Sequence, residues 1–355
     1  MSYLKKFNCE MNKLKKKSIA YKHYLIPEAP INNGERLRIV NSAPLISREK
    51  PSIAIFLCIF NGKLFLQEQL DSIKNQTHKN WKLHISDDGN CEVCLAIIHK
   101  FKNQFEDGRV VIYSGPKSGF VKNFLTLASN KSINADYFAF SDQDDIWVAD
   151  KLERSINFLR DIQKDKPALY CSRTIIVDKK NNEIGLSPLF EKPPSFANAL
   201  VQNIGGGNTM LFNQSARKLL IEAGIDIPVI THDWWMYLLV IGCDGFVKYD
   251  HQPSLRYRQH ESNVVGCNVT WQSRFLRIYL LMKGRFKEYN DKNISALLKI
   301  SHLLSDENKK TLNEFIQLRK LKINQRILKI KNIKIYRQTL LGNLGLFIAI
   351  LFNKL

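Results

Sequence analysis

The chain has 355 residues but few cysteines for that length, and its seven are scattered. That excludes a disulfide-built scaffold and indicates a reducing compartment. Cys91-x-x-Cys94 has no second pair and no nearby histidine, so it reads as two thiols at a helix start rather than a zinc or redox site. A secretory leader is not evident: Met1 to Lys17 is basic without a long apolar core. Long apolar runs are also missing. The longest, Leu344 to Phe352, reaches roughly a dozen residues with its neighbours, short of the ~20 that cross a bilayer. There is no internal repeat and no low-complexity tract.

Charge balance is lacking as well, and its absence is local. The formal net charge is +20. Residues 1–50 carry +7, residues 51–270 are neutral, and residues 271–355 carry +13. A neutral body between basic ends divides the chain into a basic N-terminal extension (1–50), a central domain (51–270) and a basic helical C-terminal region (271–355). Such ends suit an anionic surface, lipid or nucleic acid. In 319–337, Ile and Leu alternate with Lys and Arg, and their apolar positions spread around a helix rather than forming one stripe. With the stretch ending at Phe352, this favours a helix lying on a membrane over a helical pair packed on the central domain. The expected place of work is cytoplasmic, peripheral at the inner face of the plasma membrane.

Within the central domain, short apolar runs alternate with helical spacing. Ser52 to Phe60 reads as a buried strand bounded by Pro51 and Asn61-Gly62, and Leu66, Leu70 and Ile73 follow helical periodicity. Strands follow at Trp81–Ile85 and Val110–Tyr113, with helices at about 94–105 and 119–129, and then the run Tyr137-Phe-Ala-Phe140. Further on, a helix runs from Lys151 to about Ile162, a strand from Ala168 to Ser172, and a helix from Thr231-His232-Asp233 to Ile241. The fold class is therefore α/β: a mostly parallel, Rossmann-like sheet flanked by helices, with a C-terminal helical extension. In such sheets ligands bind beyond the carboxyl ends of the strands. Asn61-Gly62, Asp87-Asp88 and Asp142-Gln143-Asp144 all fall at such ends.

The last of these is the most telling. Three carboxylates after a buried strand repel one another and lose solvation unless a cation resolves the conflict. If the strand continues, Asp142 and Asp144 point to the same side and can share one ion. The bland reading is that these aspartates cap the helix before Lys151, a role assigned here to Asp145.

Cys58-Ile-Phe-Asn-Gly62, Ser86-Asp-Asp-Gly89, Ser141-Asp-Gln-Asp-Asp-Ile-Trp147 and His232-Asp-Trp-Trp235 together resemble the family 2 glycosyltransferases of the GT-A fold. Tyr257-Arg-Gln-His260 gives the flavour of the bacterial rhamnosyltransferase-like group. The resemblance covers about 51–270. It implies a nucleotide-sugar donor, Mg²⁺ or Mn²⁺, inversion at the anomeric carbon, and a glycan acceptor, with deoxythymidine-diphosphate-linked rhamnose the favoured donor. Two departures stand out. Cys58 and Phe60 occupy positions where the family usually has Thr and Tyr, and Asn208 stands where relatives often carry Cys.

Carried over residue by residue, the resemblance implies Asp144 as metal ligand, with Asp142 on the metal or the ribose and His260 as a further ligand. It also implies Asp88 on the nucleotide base and Asn61-Gly62 as a close approach to the nucleotide, while Arg258 falls either on the diphosphate or in a structural salt bridge. Asp233 becomes the general base that takes the acceptor's proton, and Trp234 and Trp235 offer a face to a sugar ring. Lys117 and Lys122 lie near a phosphate path but read as surface lysines. Two rival functions remain. A nucleotidyltransferase would want a Gly-rich, basic phosphate loop after the first strand, and Phe60-Asn-Gly-Lys63 is a poor one. A nucleic-acid binder using the basic ends fits poorly with the neutral, acid-edged body, so no nucleic-acid partner is expected.

Overall fold

The structure, a computed structural model, describes residues 50–260, 283–330 and 334–355, except for the side chains of Ile327 and Ile330. The N-terminal extension up to residue 49 lies outside the described residues, as do 261–282.

Seven strands form the main sheet: β1 (Ile53–Ile59), β2 (Trp81–Asp87), β3 (Val110–Ser114), β4 (Tyr137–Ser141), β6 (Ala168–Ser172), β9 (Leu211–Asn213) and β10 (Phe246–Asp250). Their spatial order is β10-β6-β9-β4-β1-β2-β3. Every pairing is parallel except those of β9, which runs antiparallel between β4 and β6. The helices are α1 (Leu66–Lys74), α2 (Glu92–Lys102), α3 (Phe120–Ala128), α4 (Lys151–Leu159), the short α5 (Phe196–Ala199), α6 (Gln214–Ala223) and α7 (His232–Gly242). This is the expected mostly parallel α/β architecture.

β1 is apolar throughout because it is central and covered on both faces. Its side chains alternate between two cores. Phe56 joins Phe138, Phe140, Phe212 and the residues of α7, whereas Ile55 and Leu57 join Leu70, Ile73, Phe101 and Trp147. Register then fixes the working edge. Ile59 lies beside Asp87 and Leu57 beside Ser141, so the segments leaving β1, β2 and β4 emerge together.

A smaller sheet, not anticipated from the sequence, has the order β5-β11-β7-β8, with β5 (Ile146–Trp147), β7 (Ile175–Val177), β8 (Glu183–Leu186) and β11 (Leu255–Arg258). Pairing of Leu255 with Trp147 and Arg256 with Ile146 carries the chain back to the acidic turn.

The C-terminal region forms α8 (Arg285–Lys299), α9 (Asp306–Lys320), α10 (Ile323–Ile330) and α11 (Leu340–Leu351). Leu297, Phe315, Leu318, Leu346 and Ile350 share one core with Trp235 and Tyr237 of α7. One expectation is corrected here. Residues 319–337 are not a single amphipathic helix: α9 stops at Lys320, Leu321 is extended, and residues 334–337 are not helical. The apolar positions spread around one helical wheel because they belong to different elements.

Candidate active site

The acidic turn follows β4 directly. β4 ends at Ser141, so Asp142 and Asp144 stand beyond the strand, and strand alternation is not what aims them. The turn is shaped by bonds made within it and around it. Gln143 accepts from the Phe60 amide at 2.8 Å and donates back to the Phe60 carbonyl at 3.1 Å, tying the β4 exit to the β1 exit. A Cβ on Gly62 would sit 2.3 Å from Gln143 Oε1, so the glycine makes room for this clamp. Asn61, with φ 52°, turns the chain there. Sequence reasoning passed over Gln143; its position between two aspartates of the motif was the available signal.

Asp145 is fully buried and does not cap a helix. It accepts from Asn208 Nδ2 and, at 3.2 Å, from the Arg258 amide. The first helical turn after it is preceded instead by Asp150. Asp145 thus joins the acidic turn, the glycine-rich segment and β11. Burial and the neighbouring Asp144 push its carboxyl up to about 8, against the pull of Asn208 and Arg258. Asn208, a departure from the family pattern, acquires a definite task here.

Asp144 Oδ2 lies 2.8 Å from His260 Nε2, so two of the three expected metal ligands meet. Phe65 packs against the His260 ring. Asp142 is held well above the usual carboxylate range by burial and then by Asp145, Asp144 and Asp233. That gathers four carboxyl groups into one electrostatic neighbourhood. Among the described residues, no three His, Cys, Asp or Glu side chains form a ready-made metal cage. The donor set nonetheless suits a hard cation that keeps water and substrate oxygens, which needs only one or two carboxylates from the protein.

Arg258 makes the salt bridge that is its structural alternative. It is 1% exposed, and its guanidinium bonds the carbonyls of Asp144 (3.1 Å) and Lys179 (2.9 Å) and the Glu68 carboxylate (2.8 Å) while lying over Phe65. With these partners the rigid guanidinium fork holds the turn in place.

Asp88 follows β2. Its carboxylate accepts from the amides of Lys117 and Gly119, the latter at 3.2 Å, and so shapes the loop between β3 and α3. Asp87 Oδ1 accepts from the Gly89 amide at 2.9 Å. Cys58, at the end of β1, is pushed well up by burial and by Asp142 and Asp88, which puts all three in one locality. Phe60 is 62% exposed, presenting an apolar face where the family pattern has a hydroxyl. Lys117 is exposed and Lys122 pairs with Asp226 at the surface, as expected of surface lysines.

Asp233 is the second residue of α7, which Thr231 caps. Its Oδ2 accepts from the Gly207 amide at 3.0 Å and its Oδ1 from the Trp234 amide at 2.6 Å. The tryptophans do not offer a sugar platform: Trp235 is fully buried, and Trp234 is buried with its indole donating to the Ala199 carbonyl. His232, which sequence reasoning left aside, is buried, stacks on Phe124 at 3.9 Å, and lies where a Cβ on Gly207 would strike it at 2.4 Å. Burial pulls its imidazole down to about 4, against Asp233. The triple glycine therefore lets the backbone pass over His232 and deliver the Gly207 amide to Asp233.

Residues 54–223 match the family model "Glycosyl transferase family 2". A dTDP-rhamnosyl transferase RfbG of Shigella flexneri is 29% identical over 68% of this chain and 84% of its own length. An uncharacterized glycosyltransferase of Rickettsia typhi is 23% identical over 61% of this chain and 66% of its own length. In outline the chain is similar to the crystal structure of S. aureus TarS 1-349 in complex with UDP-GlcNAc, at 12% identity and TM-score 0.47, covering 75% of this chain and 91% of that one. It is also similar to the mannosyltransferase PcManGT from Pyrobaculum calidifontis in complex with GDP-Man and Mn²⁺, at 13% identity and TM-score 0.44, covering 87% and 89%. The family match over residues 54–223 and the sequence relatives make the chain a glycosyltransferase, similar to glycosyltransferase family 2 and to a rhamnosyl transferase.

Proposed function

We propose that this glycosyltransferase moves a sugar, rhamnose first among candidates, from a nucleoside-diphosphate donor to a growing, lipid-linked surface polysaccharide, with inversion and with the help of Mg²⁺ or Mn²⁺. The observation that carries the reading is a pair of bonds on adjacent residues: Asn208 donates to Asp145 of the acidic turn, and the Gly207 amide donates to Asp233. It ties the acidic turn to the start of α7 in one site, as a direct displacement requires of a clamp and a base.

Asp144 and His260, with Asp142, would hold the cation, which when bound stabilises the negative charge of the leaving diphosphate. An imidazole in the set favours Mn²⁺ over Mg²⁺. Asp233 accepts the proton of the attacking hydroxyl, and the Gly207 amide keeps its carboxylate oriented. A glycosidase needs a second carboxyl group to protonate its leaving oxygen; a diphosphate leaves without that proton, so one base suffices. Gln143 and Arg258 keep the turn that carries Asp142 and Asp144 in position. The likeness to the Shigella protein supports the dTDP-rhamnose donor.

The test is a screen of nucleotide sugars for hydrolysis or transfer with and without Mn²⁺, run beside Asp233→Asn. The reading requires metal-dependent turnover of at least one donor, with the variant binding that donor yet failing to transfer. A variant that transfers normally removes Asp233 from the base role.

A further inference from the structure

α11 is a short helix with two different faces. Leu346 and Ile350 are buried in the core that α7 shares, and Ala349 is buried too, so the helix is docked on the body rather than loose. The opposite face carries Leu340 (88% exposed), Leu341, Leu344 and Phe347, and Phe352 follows at its end, all exposed. On the helical wheel Leu340, Leu344 and Phe347 fall on one line. On the neighbouring α10, Leu328 is 77% exposed. Arg326 of that helix is buried and donates to the Ile350 carbonyl at 3.1 Å, locking the two helices together. A soluble surface rarely leaves this many large apolar side chains together without a partner.

The charge around the patch says which partner. After Glu314 no acidic residue occurs through Leu355, while nine Lys and Arg do. Lys322 and Lys334 are exposed, and Lys329 and Lys354 are half-buried. No helix among the described residues is long and apolar enough to cross a membrane. At 1.5 Å per residue α11 is only about 18 Å long, against a hydrocarbon core of roughly 30 Å. An apolar face too short to span, in a stretch of chain whose charged residues after Glu314 are all basic, fits the interface of an anionic bilayer.

We propose that the exposed face of α11, with Leu328 of α10 and the lysines of the same stretch of chain, seats the enzyme on an anionic phospholipid surface. Leu340, Leu344 and Phe347 enter the headgroup boundary, and Lys322, Lys329 and Lys334 meet the lipid phosphates. This deepens the reading of a lipid-linked acceptor, for which it gives a docking face, but the binding stands apart from turnover.

The test is flotation of the full-length chain with vesicles of phosphatidylcholine alone and of about 3:1 phosphatidylcholine to phosphatidylglycerol. The wild type should float with the anionic vesicles and not the neutral ones. Leu340→Ser/Leu344→Ser/Phe347→Ser should lower the bound fraction at least about tenfold, and Lys322→Gln/Lys329→Gln/Lys334→Gln comparably and in a salt-dependent way. Leu340→Ser alone, at the most exposed position, serves if the triple variant does not fold. Wild type that stays behind, or a folded triple serine variant that floats like wild type, overturns the proposal. So does a serine variant that turns a dimer into a monomer with flotation unchanged, which would give the patch to a second copy. Donor hydrolysis without vesicles should be the same in all variants. Its absence from wild type would count against the transfer reading and leave the flotation result standing.

Discussion

Like charge is concentrated in two parts of this molecule and handled in opposite ways. At the carboxyl edge of the sheet, Asp142, Asp144, Asp145 and Asp233 crowd a partly desolvated site, and the first and third are pushed far up as carboxylic acids. Such a cluster is costly and needs either protons or a cation. At the other extreme Lys322 and Lys334, in the stretch after Glu314 that has no acidic residue, stand exposed, and so do Leu328, Leu340 and Leu344. Repulsion there is screened by water and cost-free to the core. A cluster of charge held inside marks a small counter-ion, and a cluster held outside marks a large surface. The first is proposed above as a chemical site, the second as a docking face.

Attacking the inner cluster should give the largest effects. Asp233→Asn is expected to lower transfer by about 10²–10⁴-fold with donor affinity retained, checked by steady-state kinetics beside donor titration. Asp144→Ala should abolish the Mn²⁺ dependence of donor binding; a titration unchanged by the metal would remove Asp144 from the ligand set. Arg258→Leu strips partners from two carbonyls and should cost about 3 kcal/mol in urea unfolding, with activity falling because the acidic turn loosens. Asp145→Ala leaves Asn208 and the Arg258 amide without their acceptor, for about 2–4 kcal/mol by the same measurement. The smallest and broadest effect concerns pH. Burial pulls His84 and His232 down to about 4, so between about pH 6.5 and 4 the unfolded chain binds protons that the folded one refuses. Stability from these sites is full above about 6.5 and is lost as pH falls through that window. His84→Gln should flatten the acid limb of the stability curve.

Much of the sheet was legible in the sequence. Ala168–Ser172 appears as read, and β1, β3, α3 and α7 start or end within a residue or two of their periodicity. Local apolar spacing and Gly, Pro and Asn punctuation carry that information. β9 was not legible as an antiparallel strand, because three residues hold no signal of direction and only neighbours on both sides supply it. The small second sheet was hidden for the same reason: Ile146–Trp147 is two residues long and exists as a strand only against Leu255 and Arg256.

The candidate site divides along similar lines. Residue type and motif order pointed to Asp142, Asp144 and Asp233 as candidates for a cation clamp and a base, roles that demand carboxylates. They were not enough to say which aspartate does structural work. Asp145 is distinguished from Asp144 only by the Asn208 side chain and the Arg258 amide that reach it across the fold. Arg258 could be read either way because its charge is visible in the sequence, while the two carbonyls and the Glu68 carboxylate that it meets are not.

What the sequence determined by itself was the alternating α/β order, the four motifs at strand and helix ends, and the uneven charge, all properties of neighbours along the chain. Only the tertiary structure decided that Trp234 and Trp235 are core, that Gln143 clamps the β1 exit, and that one face of α11 is taken by the body while the other is left open. Each of those depends on groups far apart in the chain meeting in space, and burial is a property of that meeting rather than of any residue.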